Sequence, residues 1–143
     1  MMNNINIHKK YIPLFKNDSR YFIVTGGRGS GKSYGANVLL LNLTYESGHK
    51  ILFSRYTMVS AHTSIIPEFI EKINIMGVHA DFRITKDEIM NLKTGSSIIF
   101  KGIRTSSGNQ TGALKSLNGI TTFVVDEAEE LVDEDKFDQI NLS

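Results

Sequence analysis

The sequence predicts an α/β protein with a mostly parallel β-sheet flanked by helices, and three observations carry this prediction. A glycine-rich loop at residues 26–33 joins an apolar, β-rich run to a helical pattern. A second β-forming run, residues 121–125, ends in two acidic residues, and ligands bind at the carboxyl ends of strands in such sheets. The chain has 143 residues, which is enough for one core and about one domain.

The glycine loop fits the phosphate-binding pattern G-x-x-x-x-G-K-[ST], the P-loop. Residues 21–25 predict a strand before it, and residues 31–47 predict a helix after it that ends at Gly48. Glycines adopt backbone conformations closed to other residues and let amide N–H groups reach phosphate oxygens. We therefore predict that a nucleotide contacts the whole loop: Gly26, Gly27, Arg28, Gly29, Ser30, Gly31, Lys32 and Ser33.

Three side chains of the loop have predicted chemical roles. Lys32 supplies a positive charge to the β- and γ-phosphates, and Ser33 offers its hydroxyl to Mg²⁺. Arg28 has two interpretations of equal weight. It reaches the γ-phosphate as an arginine finger in cis, or it points outward and contacts a neighbour or DNA.

The acidic pair Asp126 and Glu127 follows the β-forming run 121–125 in a Walker B arrangement. Asp126 is predicted to hold Mg²⁺ through water, and Glu127 to act as general base on the attacking water. An acidic pair alone is a weak signal, but its position after a P-loop strengthens it. Together they predict a RecA-like P-loop NTPase of the catalytic-glutamate type, with an additional strand between the two motif strands. The two motif strands are expected side by side or nearly so.

The rest of the chain predicts further elements of the same fold. A short apolar run predicts a buried strand at 51–54, and an apolar stripe predicts a helix at 63–76, with Pro67 in its first turn and Gly77 at its end. Short alternating runs predict antiparallel strands outside the catalytic cleft. They lie at 82–85, 88–92 and 97–100, before a polar loop at 104–119 and a final helix from about Asp133.

Composition and charge bound the class of protein. The chain is 41% hydrophobic and has no cysteine, which excludes disulfides and thiolate metal sites. No apolar run is long enough to cross a membrane and no signal peptide is evident, so a cytoplasmic protein is expected. Residues 1–125 carry 15 Lys/Arg and 7 Asp/Glu, whereas residues 126–143 carry 1 and 8. The basic body fits either a DNA partner or an ordinary solvated surface.

Several stretches resemble phage terminase large subunits, the DNA-packaging motors, most closely the branch in phages and prophages of Gram-positive bacteria. The similar stretches are Gly26–Ser33, Ile51–Arg55 with its trailing arginine, Gly95–Gly102, Leu114–Ile120, Val125–Leu131 and Phe137–Asn141. The resemblance covers about residues 20–143, although many family members have Glu where Asp126 stands.

The resemblance implies an ATPase motor that moves double-stranded DNA into a procapsid in the bacterial host cytoplasm. It implies a terminase small subunit and a portal protein as partners, with a homo-oligomer in the full-length motor. Residues 1–20 are then a lead-in, ordered around Tyr11 and its apolar neighbours, and 21–143 an incomplete ATPase domain without the family's nuclease domain. Such a truncated domain is expected to be marginally stable.

Two alternatives remain open at this point. Asp126-Glu127-Ala128-Glu129 also fits the D-E-x-x box of helicase-like DNA-dependent ATPases. The second alternative is that the chain is a non-catalytic nucleotide-binding module left by truncation. ATP is favoured over GTP because the nearest guanine-recognition pattern, Thr85–Glu88, is broken at Glu88 and precedes the acidic pair.

Overall fold

The computed structural model describes residues 4–16, 21–58, 61–104 and 117–130. These residues form a five-stranded mixed sheet with helices packed against it. The strands are β1 (Lys50–Thr57), β2 (Phe82–Ile84), β3 (Glu88–Asn91), β4 (Ser97–Arg104) and β5 (Thr122–Val125). The α-helices are α1 (Lys32–Leu43), α2 (Ala61–Ser64) and α3 (Ile66–Met76), and 3-10 helices lie at Lys9–Lys16, His79–Asp81 and Ala128–Glu130.

The sheet has the strand order β2-β3-β4-β1-β5, with β1 paired in parallel on both sides. Phe53 in β1 lies opposite Phe100 of β4 and Val124 of β5. β2 and β3 extend the sheet beyond β4 as antiparallel strands. The carboxyl ends of β1, β4 and β5 therefore meet at one edge of the sheet. The predicted α/β class is confirmed at this level, but the described sheet is mixed, with two parallel and two antiparallel strand pairs, and not mostly parallel as predicted.

An aromatic cluster joins the sheet to α3. The ring centroid of Phe69 lies 5.6 Å from that of Phe53 and 5.3 Å from that of Phe100, in edge-to-face geometry. All three residues are buried, and Leu41 of α1 belongs to the same core. Edge-to-face aromatic pairs stabilise a fold by about 0.5–1.5 kcal/mol beyond the burial of their area. The helices are thereby held on one face of the three parallel strands.

The predicted strand at 21–25 is wrong. Residues 21–27 form no strand, and Ile23 is 91% exposed. Aromatic and β-branched residues favour a strand only when a neighbouring strand completes the ladder and covers their side chains. β5 has a neighbour on one side only in the described sheet, and residues 21–25 do not pair with it. The expected side-by-side placement of the two motif strands is therefore also wrong for the described residues.

The predicted antiparallel excursion at 82–103 is wrong in part. β3 and β4 do form the predicted hairpin. β4, however, runs on to Arg104 and pairs in parallel with β1, so it belongs to the centre of the sheet. β4 pairs with β3 on one side and with β1 on the other. The periodicity of apolar residues alone does not distinguish such a central strand from one strand of an isolated hairpin.

The helix predictions hold with shorter bounds. α1 ends at Leu43, five residues before the predicted stop at Gly48, and the buried Thr44 hydroxyl that follows donates to the Leu41 carbonyl. The predicted helix at 63–76 is divided at Ile65 into α2 and α3. Pro67 lies in the first turn of α3, and Gly77 ends it with a positive φ of 70°, both as predicted. The final predicted helix and most of the predicted loop at 104–119 lie outside the described residues.

Hydrogen bonds connect the C-terminal end of α1 to the turn between β3 and β4. The side-chain amide of Asn91 donates to the Thr44 hydroxyl at 3.3 Å, and the Thr94 hydroxyl donates to the Thr44 carbonyl. The Ser96 hydroxyl donates to the Glu46 carbonyl. Thr44, Asn91 and Ser96 are buried, so these bonds satisfy groups that would be costly to leave unpaired. The helix that follows the glycine loop is thus fixed at its far end.

A second set of polar contacts lies next to these hydrogen bonds. The Tyr45 hydroxyl donates to Asp81 Oδ2 at 2.8 Å, and Lys93 Nζ lies 3.2 Å from Asp81 Oδ1. The hydrogen bond from Tyr45, followed by the contact with Lys93, outweighs desolvation and lowers the pKa of Asp81. Burial, followed by the neighbouring carboxylate, raises the pKa of Tyr45. Asp81 is therefore held as a carboxylate in the native state.

We predict that this contact stabilises the fold at neutral pH and ceases to do so in acid. Because the folded pKa of Asp81 is lowered, its contribution is complete above the ordinary aspartate value of 3.8 and is lost as the pH falls through the lowered pKa. Tyr45→Phe should lower the melting temperature at pH 7 and have less effect near pH 3. Thermal unfolding by circular dichroism measures this, with Tyr34→Phe on α1 as the control hydroxyl deletion. An equal effect of Tyr45→Phe at both pH values would contradict the prediction.

Candidate functional site

The glycine loop leads directly into α1, whose first residue is Lys32. Gly29 and Gly31 have positive φ values of 71° and 75°, in the left-handed region that favours glycine. The loop is exposed over most of its length. Successive amide groups in such turns make a concave nest for anions, and the start of a helix adds its free N–H groups. The local conformation therefore agrees with the predicted phosphate-binding loop.

Hydrogen bonds within the loop set its shape. Lys32 Nζ donates to the Gly26 carbonyl at 3.2 Å and so spans the loop. The Ser30 amide donates to the Gly27 carbonyl at 3.3 Å, and the Gly35 amide donates to the Gly31 carbonyl at 2.9 Å. The ammonium group that is predicted to meet phosphates thus lies inside the loop. Arg28 is exposed at its tip.

Tyr11 supports the loop from the N-terminal 3-10 helix. Its hydroxyl donates to the Ser30 carbonyl at 2.9 Å and lies 3.3 Å from Ser30 Oγ. Its ring lies against the first turn of α1, where a Cβ built on Gly35 would come within 3.2 Å of three Tyr11 atoms. Sequence reasoning expected order around Tyr11 but missed this contact. The glycine at position 35, inside a helix, was the available signal, because a helical glycine points to close packing.

The acidic pair lies at the carboxyl end of β5, as predicted. The Asp126 amide donates to the Ser54 carbonyl of β1 at 2.8 Å, which continues the ladder by one residue. Glu127 is exposed and has a φ of 55°, the one positive φ outside glycine among the described residues. A left-handed conformation costs a residue with a side chain about 1–2 kcal/mol. Strain of this kind is concentrated at functional sites.

Asp126 is ion-paired with Arg55. Both Arg55 Nε and Arg55 Nη2 lie 2.7 Å from Asp126 Oδ2, and the two side chains are 21% and 23% exposed. Arg55 is on β1, the parallel neighbour of β5, so register brings the two side chains to the same edge of the sheet. Sequence reasoning noted the arginine after the second apolar run but gave it no role. Its contact with Asp126 depends on strand order, which local patterns do not encode.

The structure does not join the two halves of the predicted site. Within the described residues, no hydrogen bond or ion pair connects the glycine loop with the acidic pair. The described part of the chain also has no group of three or more His, Asp or Glu side chains suited to a metal. The Ser33 hydroxyl and the Asp126 carboxylate are hard oxygen donors of the kind that Mg²⁺ takes. Because Mg²⁺ usually keeps several waters and substrate phosphates as ligands, this small donor set fits it.

A comparison with known families adds independent information. The family model described as phage terminase large subunit matches residues 18–143. The chain belongs to the phage terminase large subunit family. The resemblance found in the sequence is confirmed, and membership supports a role in phage DNA packaging. Placement in the Gram-positive branch stays a prediction. No curated protein is similar enough to the chain to count as a match.

The terminase family match covers the features described above. It begins just before residues 21–25 and includes the glycine loop, Arg55 and the acidic pair. Tyr11, on the N-terminal 3-10 helix, lies outside the matched residues. No helix of the described residues is long and apolar enough to cross a membrane.

We predict that a methyl group at position 35 destabilises this terminase chain. In Gly35→Ala the new Cβ meets the Tyr11 ring at 3.2 Å, so the ring or the helix must shift. Overpacking of this kind costs about 1–3 kcal/mol of unfolding free energy. Chemical denaturation measures the change. Gly27→Ala is the stability control, because a Cβ there has no atom within 4 Å. Equal stability of the two variants would show that Tyr11 does not pack as described.

Proposed function

We propose that the chain is the ATP-hydrolysing motor part of a phage terminase large subunit, which drives double-stranded DNA into the procapsid in the host cytoplasm. The observation that carries the proposal is the glycine loop with left-handed Gly29 and Gly31 at the start of α1, in a member of the terminase family. The family favours DNA packaging over the helicase-like alternative. A terminase small subunit, a portal protein and further copies of the chain are the proposed partners.

Nucleotide binding would use the loop and the helix that follows it. The backbone N–H groups of the loop and the positive end of the α1 dipole would receive the phosphates of ATP. Lys32 would exchange the Gly26 carbonyl for phosphate oxygens, which are stronger acceptors because they are charged. The fixed far end of α1 and the Tyr11 contact would keep the loop preorganised.

Hydrolysis would divide its work between the acidic pair and the loop. Ser33 and Asp126 would hold Mg²⁺, which neutralises charge on the phosphates when it is bound. Glu127 would orient the attacking water and accept its proton, for which an exposed carboxylate beside the Mg²⁺ holder is suited. Arg28, exposed at the tip of the loop, would neutralise charge at the γ-phosphate. These roles require the acidic pair to face the loop.

A non-catalytic nucleotide-binding module is the second candidate. The contact of Asp126 with Arg55, and the lack of a described bond between the glycine loop and the acidic pair, favour it. Such a module would bind ATP through the loop without releasing phosphate. A phosphate-release assay with and without double-stranded DNA separates it from a motor.

We predict that Lys32→Ala weakens binding of Mg·ATP at least tenfold, because the side chain supplies the positive charge nearest to the phosphates. Tenfold corresponds to about 1.4 kcal/mol of binding free energy. Titration of a fluorescent ATP analogue measures the affinity, and circular dichroism verifies that the variant is folded. Lys86→Ala, an exposed lysine between β2 and β3, is the matched control. Unchanged affinity in folded Lys32→Ala would remove the loop from the nucleotide site.

We predict that Glu127→Gln keeps ATP binding and lowers phosphate release by about 10²–10⁴-fold, because an amide cannot accept the proton of the attacking water. Rates are measured with double-stranded DNA present. Glu129→Gln changes an exposed acid two residues further on and should leave the rate unchanged. Hydrolysis by Glu127→Gln at the unsubstituted rate would place the base elsewhere.

A further inference from the structure

The proposed chemistry leaves one charged contact of the acidic pair unused. Arg55 lies one residue after Ser54, whose backbone pairs with Val125 of β5. The Asp126 amide donates to Ser54, so the backbone on both sides of the ion pair is fixed. The Ser54 hydroxyl adds a bond to the Val124 carbonyl at 2.9 Å. The contact between Arg55 and Asp126 therefore changes only when their side chains rotate.

The geometry of the ion pair is one-sided. Both Nε and Nη2 of Arg55 approach the same oxygen, Asp126 Oδ2, at 2.7 Å. The usual arrangement of these groups is a fork that engages both carboxylate oxygens. The contacts of Arg55 described above therefore go to Oδ2 and not to Oδ1. Asp126 is thus held by a cation through one of its two oxygens.

Electrostatics decides how Arg55 affects a metal at Asp126. Mg²⁺ held by Asp126 would share this carboxylate with the guanidinium of Arg55, and both groups are positive. Because the pair is about four-fifths buried, this repulsion is weakly screened by solvent. Arg55 also restricts rotation of the Asp126 carboxylate, but the entropy saved for so short a side chain is small. The repulsion outweighs this ordering, so Arg55 opposes the metal.

We propose that Arg55 is a positioning residue that occupies Asp126 in the absence of metal and is displaced when Mg·nucleotide binds. This rests on the proposed function, because it requires Asp126 to hold the metal. Binding of Mg·nucleotide would then release a guanidinium at the carboxyl edge of the sheet. The metal site and the central strand β1 would be coupled through this one side chain.

The first test compares the Mg²⁺ requirement of variants. The probe is a fluorescent ADP analogue titrated with Mg²⁺. Arg55→Gln removes the competing charge and should lower the half-saturating Mg²⁺ concentration about three- to tenfold, with unchanged nucleotide affinity in EDTA. Arg55→Lys keeps the positive charge but lacks the pair of guanidinium nitrogens, so it should change the half-saturating Mg²⁺ concentration less. Arg83→Gln, an exposed arginine on β2, should shift nothing. An unchanged or higher Mg²⁺ requirement in Arg55→Gln would overturn the proposal.

The second test uses the unsubstituted chain, so it does not depend on the folding of Arg55→Gln. The Nε–H resonance of Arg55 is followed by NMR with ¹⁵N-labelled arginine and assigned with Arg55→Lys. It should move toward the position of an exposed arginine with Mg·ADP but stay in place with ADP and EDTA. A resonance that stays in place with Mg·ADP overturns the proposal. If no nucleotide binding is detected in the presence of Mg²⁺, and none that depends on Lys32, the proposed function itself has failed.

Discussion

The parallel pairing of β1 on both sides is the constraint on which the rest of the described structure depends. β1 is the one strand that contacts both β4 and β5, and its residues Ile51, Leu52 and Phe53 are buried. One face of the strand packs against α3 through the aromatic cluster, and Leu41 of α1 belongs to the same core. Its carboxyl end brings Arg55 to Asp126. Core packing and the acidic pair are therefore set by the same strand.

The helix α1 connects this core to the glycine loop. Its C-terminal end is held by buried hydroxyl and amide groups at Thr44 and Asn91, and its first turns are packed under Tyr11. A loop that must present its amide groups to phosphates benefits from such anchoring, because the groups are ordered before the ligand arrives. Tyr11 contacts the loop at Ser30 and lies close to Gly31, so the N-terminal 3-10 helix is part of the structure of the loop.

The two members of the acidic pair are in different environments although they are adjacent in sequence. Asp126 continues the β5 ladder and is partly buried against a guanidinium, whereas Glu127 turns into a left-handed conformation and is exposed. Two carboxylates in distinct surroundings are suited to two roles, one electrostatic and one in proton transfer. Glu127 adopts its left-handed conformation directly after the β5 ladder, and backbone strain of this kind is concentrated at functional sites.

The sequence by itself determined the features that depend on local conformation. The glycine loop, the start of α1, the left-handed stop at Gly77, the β3–β4 hairpin and the acidic pair after β5 all follow from residue types at fixed spacing. The family also followed from these stretches. Only the tertiary structure decided strand partners and side-chain neighbours. Residues 21–25 have strand composition but form no strand, and β4 is central because β1 completes its ladder. The contacts of Arg55 with Asp126 and of Tyr11 with Gly35 join residues that are distant in sequence, so register and packing alone create them.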